Sequence, residues 1–195
     1  SKDDKKIIRA FLAAYAQLRE WPTNKDHRKA ISNALKPYSG TTRSSNQVEQ
    51  EIEDLLEKRK YVLLQGAPGT GKTHLAKKIG TKRGKVIFTQ FHAETTYSDF
   101  IYGIRPNLKA NNLQYESTTG PFVEAIEYAE NNLDKSVVLI IDEINRANLS
   151  NILGPIFYLF EYKMDANNVE IELYPGKTIY ILPKNLYVIG TMNKN

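Results

Sequence analysis

Three short stretches of this sequence carry residues with the types and spacing for phosphate chemistry. Gly66-Ala67-Pro68-Gly69-Thr70-Gly71-Lys72-Thr73 satisfies the pattern G-x-x-x-x-G-K-[ST]. Its glycines allow a turn tight enough for several backbone N–H groups to converge on phosphate oxygens. A helix beginning at Lys72-Thr73-His74 would aim its positive end at the same place. Lys72 can then bridge the β- and γ-phosphates, and the Thr73 hydroxyl can ligate Mg²⁺. Residues Gly66 to His74 are therefore the predicted nucleotide-binding stretch, with a nucleoside triphosphate as ligand.

The second stretch is Asp142-Glu143, delivered by the apolar run Val137-Val138-Leu139-Ile140-Ile141. Asp142 suits the Mg²⁺ shell, usually through water. Glu143, one residue on and aimed differently, can polarise an attacking water as a general base. Two carboxylates favour hydrolysis over phosphate transfer to a small acceptor, and no acceptor pocket is legible. The third stretch ends in Asn193. If its strand lies beside the phosphate-loop strand, the amide can orient the lytic water or touch the γ-phosphate. Otherwise Asn193 is a turn residue at a strand end.

These residues need a sheet to hold them. Tyr61–Gln65, Lys85–Gln90, Ser136–Ile141 and Asn185–Gly190 read as strands, the apolar ones as strands buried on both faces. Helices are expected over about 48–58, after the phosphate loop, over about 122–131 and over about 149–161. The stretch Phe91 to Phe122 reads as a hairpin or ordered loop. Val169–Leu173 and Thr178–Leu182 flank Tyr174-Pro175-Gly176-Lys177 as a second hairpin. Alternating strands and helices imply an α/β fold with a parallel sheet flanked by helices. In such sheets ligands lie at the carboxyl ends of the strands, where the phosphate loop, Asp142 and Asn193 all fall.

Before this core, Ile7, Ile8, Phe11, Leu12, Tyr15 and Leu18 form an amphipathic helical stripe, and Asp26 to Leu35 reads as a shorter helix. Pro37 to Asn46 is the candidate linker. The expected organisation is residues 1–46 as a small N-terminal helical segment with its linker, and 47–195 as the core.

The 195 residues suit one domain with a substantial core, or one domain plus a small appendage, and 41% apolar with 25% charged residues is ordinary for a soluble globular protein. No apolar run approaches the roughly 20 residues of a membrane span, and the charged start lacks the apolar core of a signal peptide. Zero cysteines exclude disulfides and thiolate metal sites, and three scattered histidines do not suggest zinc. These features fit a cytoplasmic protein. The formal charge of +5 suits phosphate-bearing partners, but the cations are dispersed in small groups such as Lys58/Arg59/Lys60 and Lys82/Arg83/Lys85, which read as solvated faces.

Asp142-Glu143-Ile144-Asn145-Arg146-Ala147-Asn148-Leu149-Ser150 resembles the extended Walker B segment of McrB-type AAA+ proteins. Gln90-Phe91-His92, Tyr97 to Pro106, Gly120-Pro121-Phe122 and Val188 to Asn193 resemble that family as well, so the likeness runs from about Tyr61 to Asn193. It implies an AAA+ P-loop NTPase core with hairpin insertions, a GTP-hydrolysing motor subunit of a methylcytosine-dependent restriction system. It also implies a hexameric ring with nucleotide at the interfaces, a nuclease or stimulator partner of McrC type, and DNA engaged through the complex. Asn193 would take the sensor role. Asn145 would lie near the attacking water, and Arg146 would reach a neighbouring nucleotide. The resemblance implies a helical lid beyond Asn195, so the chain reads as truncated before it. Asn193-Lys194-Asn195 would open the guanine-reading N-K-x-D only if aspartate came next, so the GTP expectation rests on the resemblance. Two other functions fit the same residues: an ATP-specific AAA+ remodelling enzyme, and a nucleotide-gated assembly module with little hydrolysis.

Overall fold

The computed structural model describes residues 45–106, 114–160 and 170–193. The expected helices of the first 36 residues and most of the Pro37 to Asn46 linker lie outside the described residues. Helix α1 runs Ser45–Arg59, starting before the expected position near 48 and taking in the last two linker residues. Strand β1 (Tyr61–Gly66) follows, then helix α2 (Lys72–Arg83) and strand β2 (Lys85–Gln90). A short helix α3 (Tyr97–Phe100) leads into strands β3 (Tyr102–Pro106) and β4 (Tyr115–Thr119). These two pair antiparallel, so the stretch expected as hairpin or loop is a hairpin. Helix α4 (Pro121–Asn131) precedes strand β5 (Val137–Asp142). Helix α5 (Leu149–Leu153), strands β6 (Ile171–Tyr174) and β7 (Lys177–Ile179), and strand β8 (Leu186–Asn193) complete the described elements.

Two expectations are corrected. The helix placed over 149–161 is α-helical only to Leu153 and continues as a 3-10 turn over Gly154–Phe160. Pro155 has no N–H to give and its ring crowds the preceding turn, so the α pattern ends there. The second hairpin pairs Ile171–Tyr174 with Lys177–Ile179, so its second strand ends before the expected Leu182, whose side chain is buried, while the expected start at Val169 lies outside the described residues. Pro183 directly after Leu182 also disfavours continuing the ladder.

The central sheet has four parallel strands in the order β1-β8-β5-β2. All six residues of β5 are buried, as its unbroken apolar run requires. Alternation along the strands feeds two cores. Val138, Ile140, Tyr187 and Ile189 pack with Ile52, Leu56, Ala76 and Ile79 of α1 and α2. Leu139, Ile141 and Val188 face the other way, onto Phe91, Phe100, Phe122, Ile126 and Ile152. Helices thus cover both faces. An apolar cavity of about 40 Å³ under β1, lined by Leu63, Leu153 and Phe160 among others, belongs to that second core and offers nothing to a polar ligand.

Helix α1 is fastened to α2 by charge. Glu49, buried at 4% exposure, accepts from Lys78 at 2.5 Å and from Lys82. The hydrogen bond from Lys78, then that from Lys82, holds the Glu49 carboxyl below its ordinary value. A depressed carboxylate contributes stability above the unfolded-state value of about 4.3 and loses it as pH falls through the folded-state value. Glu49→Gln is expected to melt at a lower temperature than the parent at pH 7, with the gap closing on acidification below about pH 4. Thermal unfolding across that range reads this directly, and a gap independent of pH would refute the assignment.

Candidate nucleotide site

Three strands that are neighbours in the sheet bring the expected residues together at their carboxyl ends. β1 ends at Gly66, which stands in register with Asn193 at the end of β8. Asn193 is therefore beside the phosphate-loop strand, the arrangement on which its functional reading depended. On the other side of β8, Ile141 is in register with Gly190, which sets Asp142 next to Thr191.

The loop after β1 has the backbone its glycines permit. Gly69 and Gly71 sit at φ of 76° and 80°, a left-handed region costly to residues bearing a Cβ. Among the described residues no side chain caps the first turn of α2, so its leading N–H groups stay available to an anion. Thr70 donates to the Ala67 carbonyl at 2.8 Å and braces the turn. Lys72 reaches across the loop, donating to the Gly66 and Ala67 carbonyls at 3.2 and 2.7 Å and to Asn193 Oδ1 at 3.0 Å. His74 is exposed on the first turn of α2.

The acids are held by hydroxyls and amides. Thr73 donates to Asp142 Oδ1 at 2.5 Å, and Thr191 donates to the same oxygen at 2.6 Å. Asp142 is 6% exposed, so both bonds are made in a poorly hydrated place where they count for more. Glu143 adopts φ 53°, ψ 42°, a left-handed conformation uncommon away from glycine. That turn swings its side chain off the line of β5 and onto Asn193, whose amide nitrogen donates to Oε1 and Oε2 at 2.7 and 2.8 Å. The result is a continuous chain from Lys72 through Asn193 to Glu143.

Arg146 turns back on its own Glu143, donating from Nε to Oε2 at 3.2 Å, and its side chain is largely exposed. The Asn145 Oδ1 atom is buried and has no hydrogen-bond partner among the described residues. Thr191 is the member that sequence reading missed. Its hydroxyl accepts from the Glu143 N–H at 3.1 Å while donating to Asp142, so it positions both acids at once. The signal was a lone hydroxyl in the otherwise apolar run Val188-Ile189-Gly190.

A magnesium ion and a triphosphate fit this donor set. Thr73 and Asp142 are both hard oxygen donors of the kind Mg²⁺ takes, and they already converge. The uncapped helix start and the Lys72 amine match a phosphate tail. Among the described residues there is no cluster of three His, Cys, Asp or Glu that would instead hold a metal by protein ligands alone.

A parallel sheet with such a loop after one strand and paired acids after another defines a P-loop nucleotide-binding α/β protein. Residues 61–195 match the model of the AAA domain, dynein-related subfamily, and the chain belongs to that family. It is 35% identical over 157 residues to the Type IV methyl-directed restriction enzyme EcoKMcrB subunit of Escherichia coli strain K12, covering 74% of this chain and 33% of that protein. It is 28% identical over 170 residues to the Type II restriction enzyme BsuMI component YdiS of Bacillus subtilis strain 168, covering 67% of this chain and 50% of that one. The McrB-type resemblance is borne out. The chain spans a third to a half of the length of these relatives. A crystal structure from Cytophaga hutchinsonii ATCC 33406 aligns over 99% of this chain and 48% of its own, at 16% identity and a TM-score of 0.46, too remote to bear on the argument. No described helix is long and apolar enough to cross a membrane.

Proposed function

We propose that this chain is the Mg²⁺-dependent, nucleoside-triphosphate-hydrolysing core of a DNA restriction or defence complex, with GTP favoured over ATP. One observation carries the reading: Lys72, Asn193 and Glu143 form a hydrogen-bonded chain beside the Thr73–Asp142 pair, all at the carboxyl ends of adjacent strands. In this reading the loop amides and Lys72 bind the β- and γ-phosphates. Thr73 and Asp142 hold the magnesium ion, which supplies positive charge against the phosphate oxygens. Glu143 takes a proton from the attacking water as its oxygen bonds to the γ-phosphorus and the bond to the departing diphosphate breaks. Asn193 fixes the Glu143 carboxylate and touches the γ-phosphate from the same amide. The functional assembly is a hexameric ring in the cytoplasm with a nuclease or stimulator subunit of McrC type, in which Asn145 and Arg146 act at the subunit boundary. Residues 47–195 serve as the nucleotide-binding subdomain and 1–46 as an appended helical segment.

A second reading has an observation of its own in favour. Glu143 is held by Asn193 on both oxygens and by Arg146 on one, which suits a site that binds nucleotide and controls assembly while turning over slowly. Titration with GTP and ATP in the presence of Mg²⁺, with phosphate release and oligomer size followed together, separates the readings. The expected result is GTP bound at least about tenfold more tightly, a difference of about 1.4 kcal/mol. Tighter ATP would transfer the assignment to an ATP-specific remodelling enzyme. Nucleotide-dependent assembly with background phosphate release would favour the gated module.

A further inference from the structure

The end of the sheet opposite the nucleotide site is a row of lysines. Each of the four parallel strands is entered from one. Lys60 directly precedes β1, Lys184 lies two residues before β8, Lys135 lies two before β5, and Lys85 is the first residue of β2. The register of Lys85 with Val137, and of Val137 with Leu186, puts Lys85, Lys135 and Lys184 along one edge. With strands about 4.8 Å apart, the four lysines line an edge about 15 Å long. The small cationic groups scattered in the sequence are thus gathered by topology, since Lys58 at the end of α1 and Lys82 at the end of α2 join the same rim.

The rim is fixed and its charge is largely uncommitted. The Asn185 side chain donates to the carbonyls of Ala129, Asn132 and Lys135 at 3.0, 2.9 and 2.8 Å, and Val137 N–H donates to the Asn185 carbonyl. The side chains of Lys85, Lys135 and Lys184 are exposed and make no hydrogen bond or ion pair among the described residues. Elsewhere on the rim charge is partly answered: Glu57 holds Arg83, Glu49 and Glu53 hold Lys82, and Asp134 is an exposed carboxylate beside Lys135. Lys60 donates to the Tyr187 hydroxyl at 2.9 Å.

We infer that this rim is a contact surface for the phosphate backbone of duplex DNA. Lysine is a point charge on a flexible stem, suited to phosphates and carrying no base readout. At this end of the central sheet Tyr187 is buried, with Lys60 and Arg83 over its face, and Tyr61 is half-buried with its ring edge-on to Phe160, so neither offers a stacking platform to unpaired bases. This favours duplex over single strand. Leu133, exposed in the turn before β5, is a single apolar side chain and does not by itself make a docking face for a protein. The strands are about six residues long, so the rim lies about 20 Å from the phosphate loop and is independent of the nucleotide reading.

The test measures binding of the full chain to a 20-base-pair duplex of arbitrary sequence by fluorescence anisotropy over a range of salt. A slope of log affinity against log salt of about −3 to −4 is expected from four phosphate contacts. Replacing Lys85→Gln, Lys135→Gln and Lys184→Gln together is expected to weaken binding at least about tenfold at low salt and flatten that slope by about 3, with nucleotide affinity and melting temperature unchanged. Replacing Lys2→Gln, Lys5→Gln and Lys6→Gln removes the same charge and is expected to leave duplex binding near the parent value. Parent-like binding by the rim variant, equal losses in both variants, or tighter binding of a single strand than of the duplex would each overturn the proposal.

Discussion

Lys72→Ala is expected to abolish nucleotide binding at concentrations where the parent saturates. In the folded chain the Lys72 amine has three acceptors, two of them loop carbonyls and one Asn193. A triphosphate offers it charged oxygens instead, and each hydrogen bond to a charged group contributes about 1.5–3 kcal/mol. Losing two such bonds weakens binding by at least about a hundredfold. The fold should tolerate the change, because the Ala67 carbonyl it releases is exposed to water and the Gly66 carbonyl is only partly buried. Isothermal titration with GTP and ATP, paired with a melting curve, therefore distinguishes a lost ligand contact from a lost structure. Parent-like affinity in a folded variant would remove Lys72 from the site.

Glu143→Gln is expected to do the reverse, keeping binding and stopping turnover. Glutamine preserves the shape of the side chain and can still accept from the Asn193 amide, so the chain from Lys72 to residue 143 persists. What it loses is basicity. Positioned general bases contribute about 10²–10⁴-fold to rate, and phosphate release should fall by that order. Affinity should stay within about threefold, since no bond to the phosphates involves this carboxylate. The measurement needs the assembled protein, because Arg146 and Asn145 stand next to Glu143 and any neighbour that moves them alters the base. Hydrolysis at the parent rate by the glutamine variant would remove Glu143 as the base.

The phosphate loop, the strand bearing Asp142 and Glu143, and the strand ending at Asn193 were all legible because local pattern determines them: glycine spacing in the first, unbroken apolar runs in the others. The placement of Asn193 was conditional in the sequence and became definite only with strand order, a long-range property that no local window contains. Thr191 was invisible for the same reason, since its role depends on lying next to Asp142 across the sheet. The left-handed turn at Glu143 is a conformation without a residue signature, because glutamate does not favour it. Pro155, by contrast, is legible in the sequence, and its missing N–H ends the α-helix although the apolar period runs on towards residue 161. The lysine rim reads as solvated clusters until the parallel strands are laid side by side.

The strand order also bears on how the molecule is made. β8 is the latest described strand to emerge during synthesis, yet it lies in the middle of the sheet, between β1 and β5. Until Leu186 to Asn193 have left the ribosome, β1 lacks the strand it pairs with among the described residues, and the early half of the chain keeps an open slot flanked by apolar faces. Such late, distant pairing slows folding and leaves nascent chains exposed to misassociation. The phosphate loop is synthesised more than a hundred residues before Asn193, which stands in register with its first glycine.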